Sequence, residues 1–249
     1  YKGGEYMYYN GDGYGPRTYE EQYEALRGLN TYIAKVFGWM FIGLLITAGV
    51  GYYVAGNLQL FFAIANPVTL ILLFIAEIVL VSILSARITR LSYGAAVALF
   101  AAYAAINGLT FSVIFLAYDP ASIATAFGTT AITFGVMCIY GYFTRADLSR
   151  FRTILFMGLI GVLVLSLVNV LLGSSSVDWV ICLVSLFVFL GLTAYDLQKL
   201  KAFYFGTEGD YVLKNNLGIF GALQLYLDFI NLFLTLLRLL GGRNNRRWS

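Results

Sequence analysis

The chain contains no histidine, two cysteines, three prolines and only 12% charged residues among its 249 positions. Without imidazole there is no zinc or haem ligand of that type and no side chain that titrates unperturbed near neutral pH. Zinc hydrolysis, haem chemistry and His-based acid–base catalysis are therefore disfavoured. Cys138 and Cys182 both lie inside apolar runs and read as packed thiols, not as a disulfide or a metal pair. Water-soluble domains carry about 25% charged residues. Half that charge, with 60% hydrophobic residues and a mean hydropathy of +0.78, indicates a polytopic membrane protein whose main partner is the lipid bilayer. The net charge of +3 is spread over separate short segments, so nucleic acid is not an expected partner.

A membrane-spanning helix needs ~20 predominantly apolar residues. Seven stretches qualify: Tyr32–Gly56, Pro67–Ala86, Tyr93–Tyr118, Ala121–Phe143, Thr153–Gly173, Trp179–Gln198 and Leu217–Leu240. The expected fold is thus all-α, with a transmembrane domain over residues 31–241. Residues 1–30, rich in Tyr and Gly, read as a disordered to weakly helical cytoplasmic segment, with Thr18 to Leu29 able to form a short surface helix. They lack the basic start and apolar core of a signal peptide. Residues 242–249 form a basic tail. Small residues at four-residue spacing, Ala98/Ala102 and Ala101/Ala105, suit close helix packing.

Loop charge gives the orientation. The second, fourth and sixth loops hold Arg87 and Arg90; Arg145, Arg150 and Arg152; and Lys199, Lys201 and Lys214, whereas the odd loops hold no Lys or Arg. Basic loops stay in the cytoplasm, which places the N-terminus there. Arg243, Arg246 and Arg247 would then lie outside, against the same rule. Either the last segment re-enters, or the earlier loops outvote the tail. Because early loops dominate, seven full spans are the expectation.

Three acids fall within apolar stretches: Glu77, Asp196 and Asp228. An ionised carboxylate at the centre of a spanning helix costs about 2.5–3.5 kcal/mol on the most lenient scale, so each needs a partner, a proton or a bound cation. On the last stretch Gly221, Gln224, Asp228, Asn231 and Thr235 recur at intervals of three and four. At 100° per residue they share an arc of roughly 80°. Such a stripe should face protein or a water-filled path, with Gln224 and Asn231 also suited to an interhelical hydrogen-bond seam. Asp196 closes its stretch near the cytoplasmic end, where a solvated interfacial carboxylate is the plain alternative. Glu77 can equally be a packing residue. Arg87 follows it by ten residues, about 15 Å along a helix, too far for an intrahelical pair. Arg87 shares the depth of Asp196, so pairing there competes with a role as an ordinary interfacial anchor. Two carboxylates brought close together share a proton more readily than they both ionise. When ionised they suit a hard cation such as Ca²⁺, and two carboxylates with amides make only a weak, partial cage.

The run Ala222-Leu223-Gln224-Leu225-Tyr226-Leu227-Asp228-Phe229-Ile230-Asn231-Leu232-Phe233, followed by Leu236-Leu237-Arg238, resembles the C-terminal signature of the Bax inhibitor-1 (transmembrane BAX inhibitor motif) family, and Tyr195-Asp196-Leu197-Gln198 resembles its other acidic motif. The resemblance spans residues from about 30 to 240, and the short termini resemble bacterial members. It implies six helices around a central seventh and a pH-regulated calcium leak across a bacterial plasma membrane. It also implies that Asp196 and Asp228 are paired proton sensors, that Arg87 is a gating latch and that Glu77 matches the acidic residue of the second helix. With the polar stripe, Glu77, Gln224 and Asn231 are expected to line the ion pathway and the two aspartates to meet Ca²⁺. No cofactor beyond a permeant or weakly bound Ca²⁺ is expected. An H⁺/cation exchanger and a non-transporting adaptor that regulates a partner protein are the rival readings. An enzyme is not expected: an intramembrane aspartyl protease needs two such Asp, but the Gly-rich context usual around them is missing from Tyr195-Asp196-Leu197 and Leu227-Asp228-Phe229.

Overall fold

A computed structural model describes residues 19–207 and 209–241, and the described residues are helical with short connections and no strands. The order is α1 (Tyr19–Ala55), α2 (Leu58–Ile64), α3 (Pro67–Arg87), α4 (Tyr93–Ala117), α5 (Pro120–Phe143), a 3-10 turn (Leu148–Phe151), α6 (Arg152–Leu172), α7 (Ser175–Gly206) and α8 (Tyr211–Leu240). Seven of these segments are long and apolar enough to cross a membrane. The tail with Arg243, Arg246 and Arg247, and most of the Tyr/Gly-rich start, lie outside the described residues.

The helix starts follow local chemistry. Asn66 and Asp119 each precede a proline at the first helical position, and their side chains accept hydrogen bonds from Val68 N and Ser122 N. Proline loses nothing there, because its missing N–H would have no helical partner. Ser92, Ser174 and Asp210 cap α4, α7 and α8 in the same way. Gly173 closes α6 in the left-handed region at φ 62°, a conformation that only glycine adopts without strain.

Three boundaries differ from the sequence reading. α1 runs unbroken from Tyr19 through Ala55, so no structural break separates a leading segment from the first span at residue 30. The first loop, between α1 and α3, contains α2. α7 continues eight residues past Gln198 to Gly206, which puts Lys199 and Lys201 on a helix and sets Asp196 further from its end. Long stems let lysines leave an apolar segment without ending the helix.

α8 is the centre. α1, α4, α5 and α7 pack directly against it, while α3 lies mainly on α4 and α6 mainly on α7. Two-thirds of the apolar window of α8 is buried (67%), against 6% for α3 and for α6, which turn large aliphatic faces outward to lipid. Close approach needs missing side chains at two places. A Cβ on Gly141 would strike the backbone of Ala194, and one on Gly108 would come within 2.8 Å of the Thr47 carbonyl oxygen. The small-residue seam of α4 therefore uses Ala96, Ala104 and Gly108, all buried, whereas Ala98 and Ala102 are exposed.

Candidate functional site

The α7–α8 contact carries a cluster of polar groups deep in the bundle. Asp196 on α7 is 7% exposed and Asp228 on α8 is 4% exposed. Between them stands Gln224, one turn before Asp228. Its Nε2 donates to Asp196 Oδ1 at 3.2 Å, and its Oε1 accepts from Lys199 Nζ at 3.2 Å. The amide thus relays between a carboxylate and an ammonium that do not themselves meet within ion-pair distance. Lys199 is further held among aromatic rings, 5.3 Å from the centroids of both Phe203 and Phe220 and 6.0 Å from that of Tyr195. Ring faces attract a cation without desolvated hydrogen bonds, which suits a half-buried lysine.

Asp228 is different. Its Oδ2 is buried and accepts no hydrogen bond. The charged groups within electrostatic reach are Asp196 and Lys199, and the Cys138 thiol of α5 lies in the same neighbourhood. A buried carboxylate oxygen with no donor is costly. It calls for a proton or a cation.

Glu77 and Arg87 stand apart from this cluster. Glu77 accepts from Thr110 Oγ1 at 3.0 Å and belongs to a second polar layer between α1, α3, α4 and α8. There Tyr226 Oη lies 2.6 Å from Thr47 Oγ1, whose own hydrogen goes to the Ala104 carbonyl at 2.8 Å. Tyr226 is therefore the donor to Thr47. Asn107 donates to Tyr103 Oη at 3.2 Å nearby. Arg87 is exposed and forms no ion pair among the described residues. The expected pairing of Arg87 with Asp196 is not formed, because α3 packs on α4 and not on α7. The cations that reach Asp196 are Lys199 and Arg152. The end of α3 is tied instead by Asn216 of α8, whose Nδ2 donates to the carbonyls of Ile88 and Leu91 at 3.1 and 2.7 Å.

Six apolar spans around a seventh, last helix carrying Gln224, Asp228 and Asn231 match a known pattern. A family model described as "Inhibitor of apoptosis-promoting Bax1" covers residues 29–245. The chain belongs to this family. It is 50% identical over 222 residues to the inner membrane protein YbhL of Escherichia coli K12, covering 87% of this chain and 93% of that one. A protein of Borreliella burgdorferi is 41% identical over 217 residues (87% and 94% covered), and one of Deinococcus radiodurans 40% identical over 224 (90% and 95%). This Bax inhibitor family member is an integral membrane protein.

Within this family member the polar stripe of α8 divides into two parts. Gln224 reaches across to α7, whereas Asn231 donates to its own helix at Leu227 O (2.7 Å) and Thr235 to Asn231 O (2.7 Å). Asn231 thus makes no interhelical bond of the expected seam. Gln224, Leu227 and Asn231 are half-buried while the residues between them are buried, so one narrow face of α8 is less covered than the rest. Among the described residues no three His, Cys, Asp or Glu side chains converge as a metal site. Lys199, which the sequence places on a neighbouring face of the Asp196 helix and among the basic loop residues, carries no role in the site on sequence alone. Its i, i+3 spacing from Asp196 on a continued helix was the available signal.

Proposed function

We propose that this family member is a pH-regulated calcium leak, with Asp196, Asp228, Gln224 and Lys199 as its proton- and ion-responsive centre. The observation that carries the reading is Asp228: a buried carboxylate without a donor, next to a second carboxylate and one ammonium. With both aspartates ionised, Lys199 and Arg152 both bear on Asp196, and the charge on Asp228 is the one left over. That remaining charge is either filled by a proton or offered to a hard cation, for which two carboxylates and an amide oxygen provide a weak oxygen cage. Weak binding is what permeation requires.

In this reading the closed state is held through Gln224. An ionised Asp196 accepts a charge-assisted hydrogen bond from the Gln224 amide, whose oxygen is held in turn by Lys199, and α7 and α8 stay joined. Protonation of Asp196 removes the charge assistance and loosens the joint, so mild acidification opens the leak. Strong acid neutralises both carboxylates and removes the attraction for cations, so flux falls again. The chain acts here as an ion conductor in a bacterial plasma membrane, not as an enzyme. The basic helix ends and loops favour an N-terminus on the cytoplasmic side.

The test is Ca²⁺ flux into proteoliposomes as a function of pH for wild type, Asp196→Asn and Asp228→Asn. Loss of the pH response in either variant supports the assignment. A leak whose pH dependence survives both substitutions overturns it. Uphill Ca²⁺ movement driven by an imposed pH gradient would replace the leak by H⁺/cation exchange at the same acids.

A further inference from the structure

A groove of about 510 Å³ lies at the end of the bundle where α1 begins and α7 meets α8. That volume falls within the ~300–1,000 Å³ of small-molecule sites. Arg27, Lys35 and Lys214 line it, with Glu24 the one carboxylate among its walls. None of the three cations has a carboxylate partner within 4 Å among the described residues. Lys214 is fixed by the Tyr204 ring, whose centroid is 4.3 Å from Nζ. Tyr204 in turn lies across α1 at Gly28, where any Cβ would collide with the phenol oxygen.

A second observation points to a ligand. Tyr32 lines the groove and the small cavity that adjoins it, is 7% exposed, and has a buried hydroxyl with no hydrogen-bond partner. Its ring packs against Tyr204 at 5.6 Å between centroids, so the hydroxyl cannot easily swing to water. An orphaned buried donor beside three cations that have no carboxylate partner among the described residues is the complement of an oxyanion. Lys35 and Trp39 share the adjoining cavity, and tryptophan beside lysine is the pairing of a membrane–water boundary.

We infer that this groove binds a phosphate ester, with Arg27, Lys35 and Lys214 supplying charge and Tyr32 a hydrogen bond. The headgroup of an anionic phospholipid and a free phosphate both have this chemistry. Basic pockets between spanning helices on the cytoplasmic side are suited to lipid headgroups.

The experiment is thermal unfolding of the full chain in nanodiscs. Discs of phosphatidylcholine alone are compared with discs containing phosphatidylglycerol, and with phosphatidylcholine discs given inorganic phosphate. Variants are Tyr32→Phe, the double variant Lys35→Gln/Lys214→Gln, and Arg90→Gln as an exposed cation outside the groove. Phosphatidylglycerol should raise the wild-type Tm by about 5–10 °C near saturation. The double variant should lose most of that shift, Tyr32→Phe part of it, and Arg90→Gln none. Inorganic phosphate reproducing the shift assigns a free anion, and phosphate without effect assigns the lipid. A wild type that responds to neither, or a shift that Arg90→Gln reduces as much as the groove variants do, overturns the site. Should the double variant fail to fold, Tyr32→Phe decides alone, and an undiminished shift in it overturns the proposal.

Discussion

Asp228→Asn should make the protein more stable, although it alters a buried residue at the centre of the bundle. Asp228 Oδ2 has no donor, so the substitution breaks no hydrogen bond to that atom. What it removes is a charge whose burial at the middle of a spanning helix costs about 2.5–3.5 kcal/mol. Against this, the new amide needs partners of its own, at a cost of about 1–3 kcal/mol. The central values leave a net gain of about 1 kcal/mol, which for a chain of this size raises Tm by about 2–4 °C. Asp196→Asn should do the opposite. It loses the charge-assisted bond from Gln224 and leaves Lys199 without its nearest counter-charge, a loss of about 1.5–3 kcal/mol. Both cysteines are buried, so a thiol-reactive fluorophore reports unfolding in detergent directly. The opposite signs are the test. If Asp228→Asn lowers Tm as Asp196→Asn does, Asp228 has a stabilising partner and the reasoning from its orphaned oxygen fails.

Tyr226→Phe removes the donor to Thr47 while leaving the Thr47–Ala104 bond, and should cost about 0.6 kcal/mol and at most ~1.7, read by the same unfolding assay. Gly141→Ala should cost about 1–3 kcal/mol because its Cβ meets the Ala194 backbone, whereas Gly135→Ala on the same helix, with nothing within 4 Å, should leave Tm unchanged. Asp119 caps α5 and is held below the ordinary 3.8 of aspartate by hydrogen bonds from the Ser122 side chain and backbone. A lowered value means the cap contributes above that range and is lost only as pH falls below it. Asp119→Asn should therefore leave the shape of the flux profile between about pH 5 and 8 unaltered.

The seven spans were legible in the sequence because burial in lipid demands long apolar runs, and the expected starts at Pro67 and Ala121 fall within a residue of those of α3 and α5. The end of α7 was not legible, since Lys199 and Lys201 lower the apolar signal while their stems still suit a helix at the interface. The same effect hid Lys199 as a member of the polar cluster. The central place of α8 followed from its family signature and its stripe, but which face met which neighbour did not. Gln224 and Asn231 are both amides on one side of the helix, yet one crosses to α7 and the other folds back on Leu227. That choice depends on the closeness of the neighbouring helix, a long-range property absent from local spacing. Arg87 illustrates the same limit: its depth was readable, but the helix that α3 leans on was not.

The enclosure of α8 also constrains how the molecule is assembled. α8 follows the other six spans in the chain, so during synthesis those helices enter the bilayer before the one they surround. Until α8 arrives, the faces of α1, α4, α5 and α7 that will meet it have no occupant, and the Asp196 carboxylate lacks Gln224. The incoming helix brings Asp228, a poor candidate for free residence in lipid, and is best accommodated by passing straight into that opening. A ribosome-bound intermediate ending before Tyr211 should thus be an open sheath, protease-sensitive and prone to capture by other membrane helices.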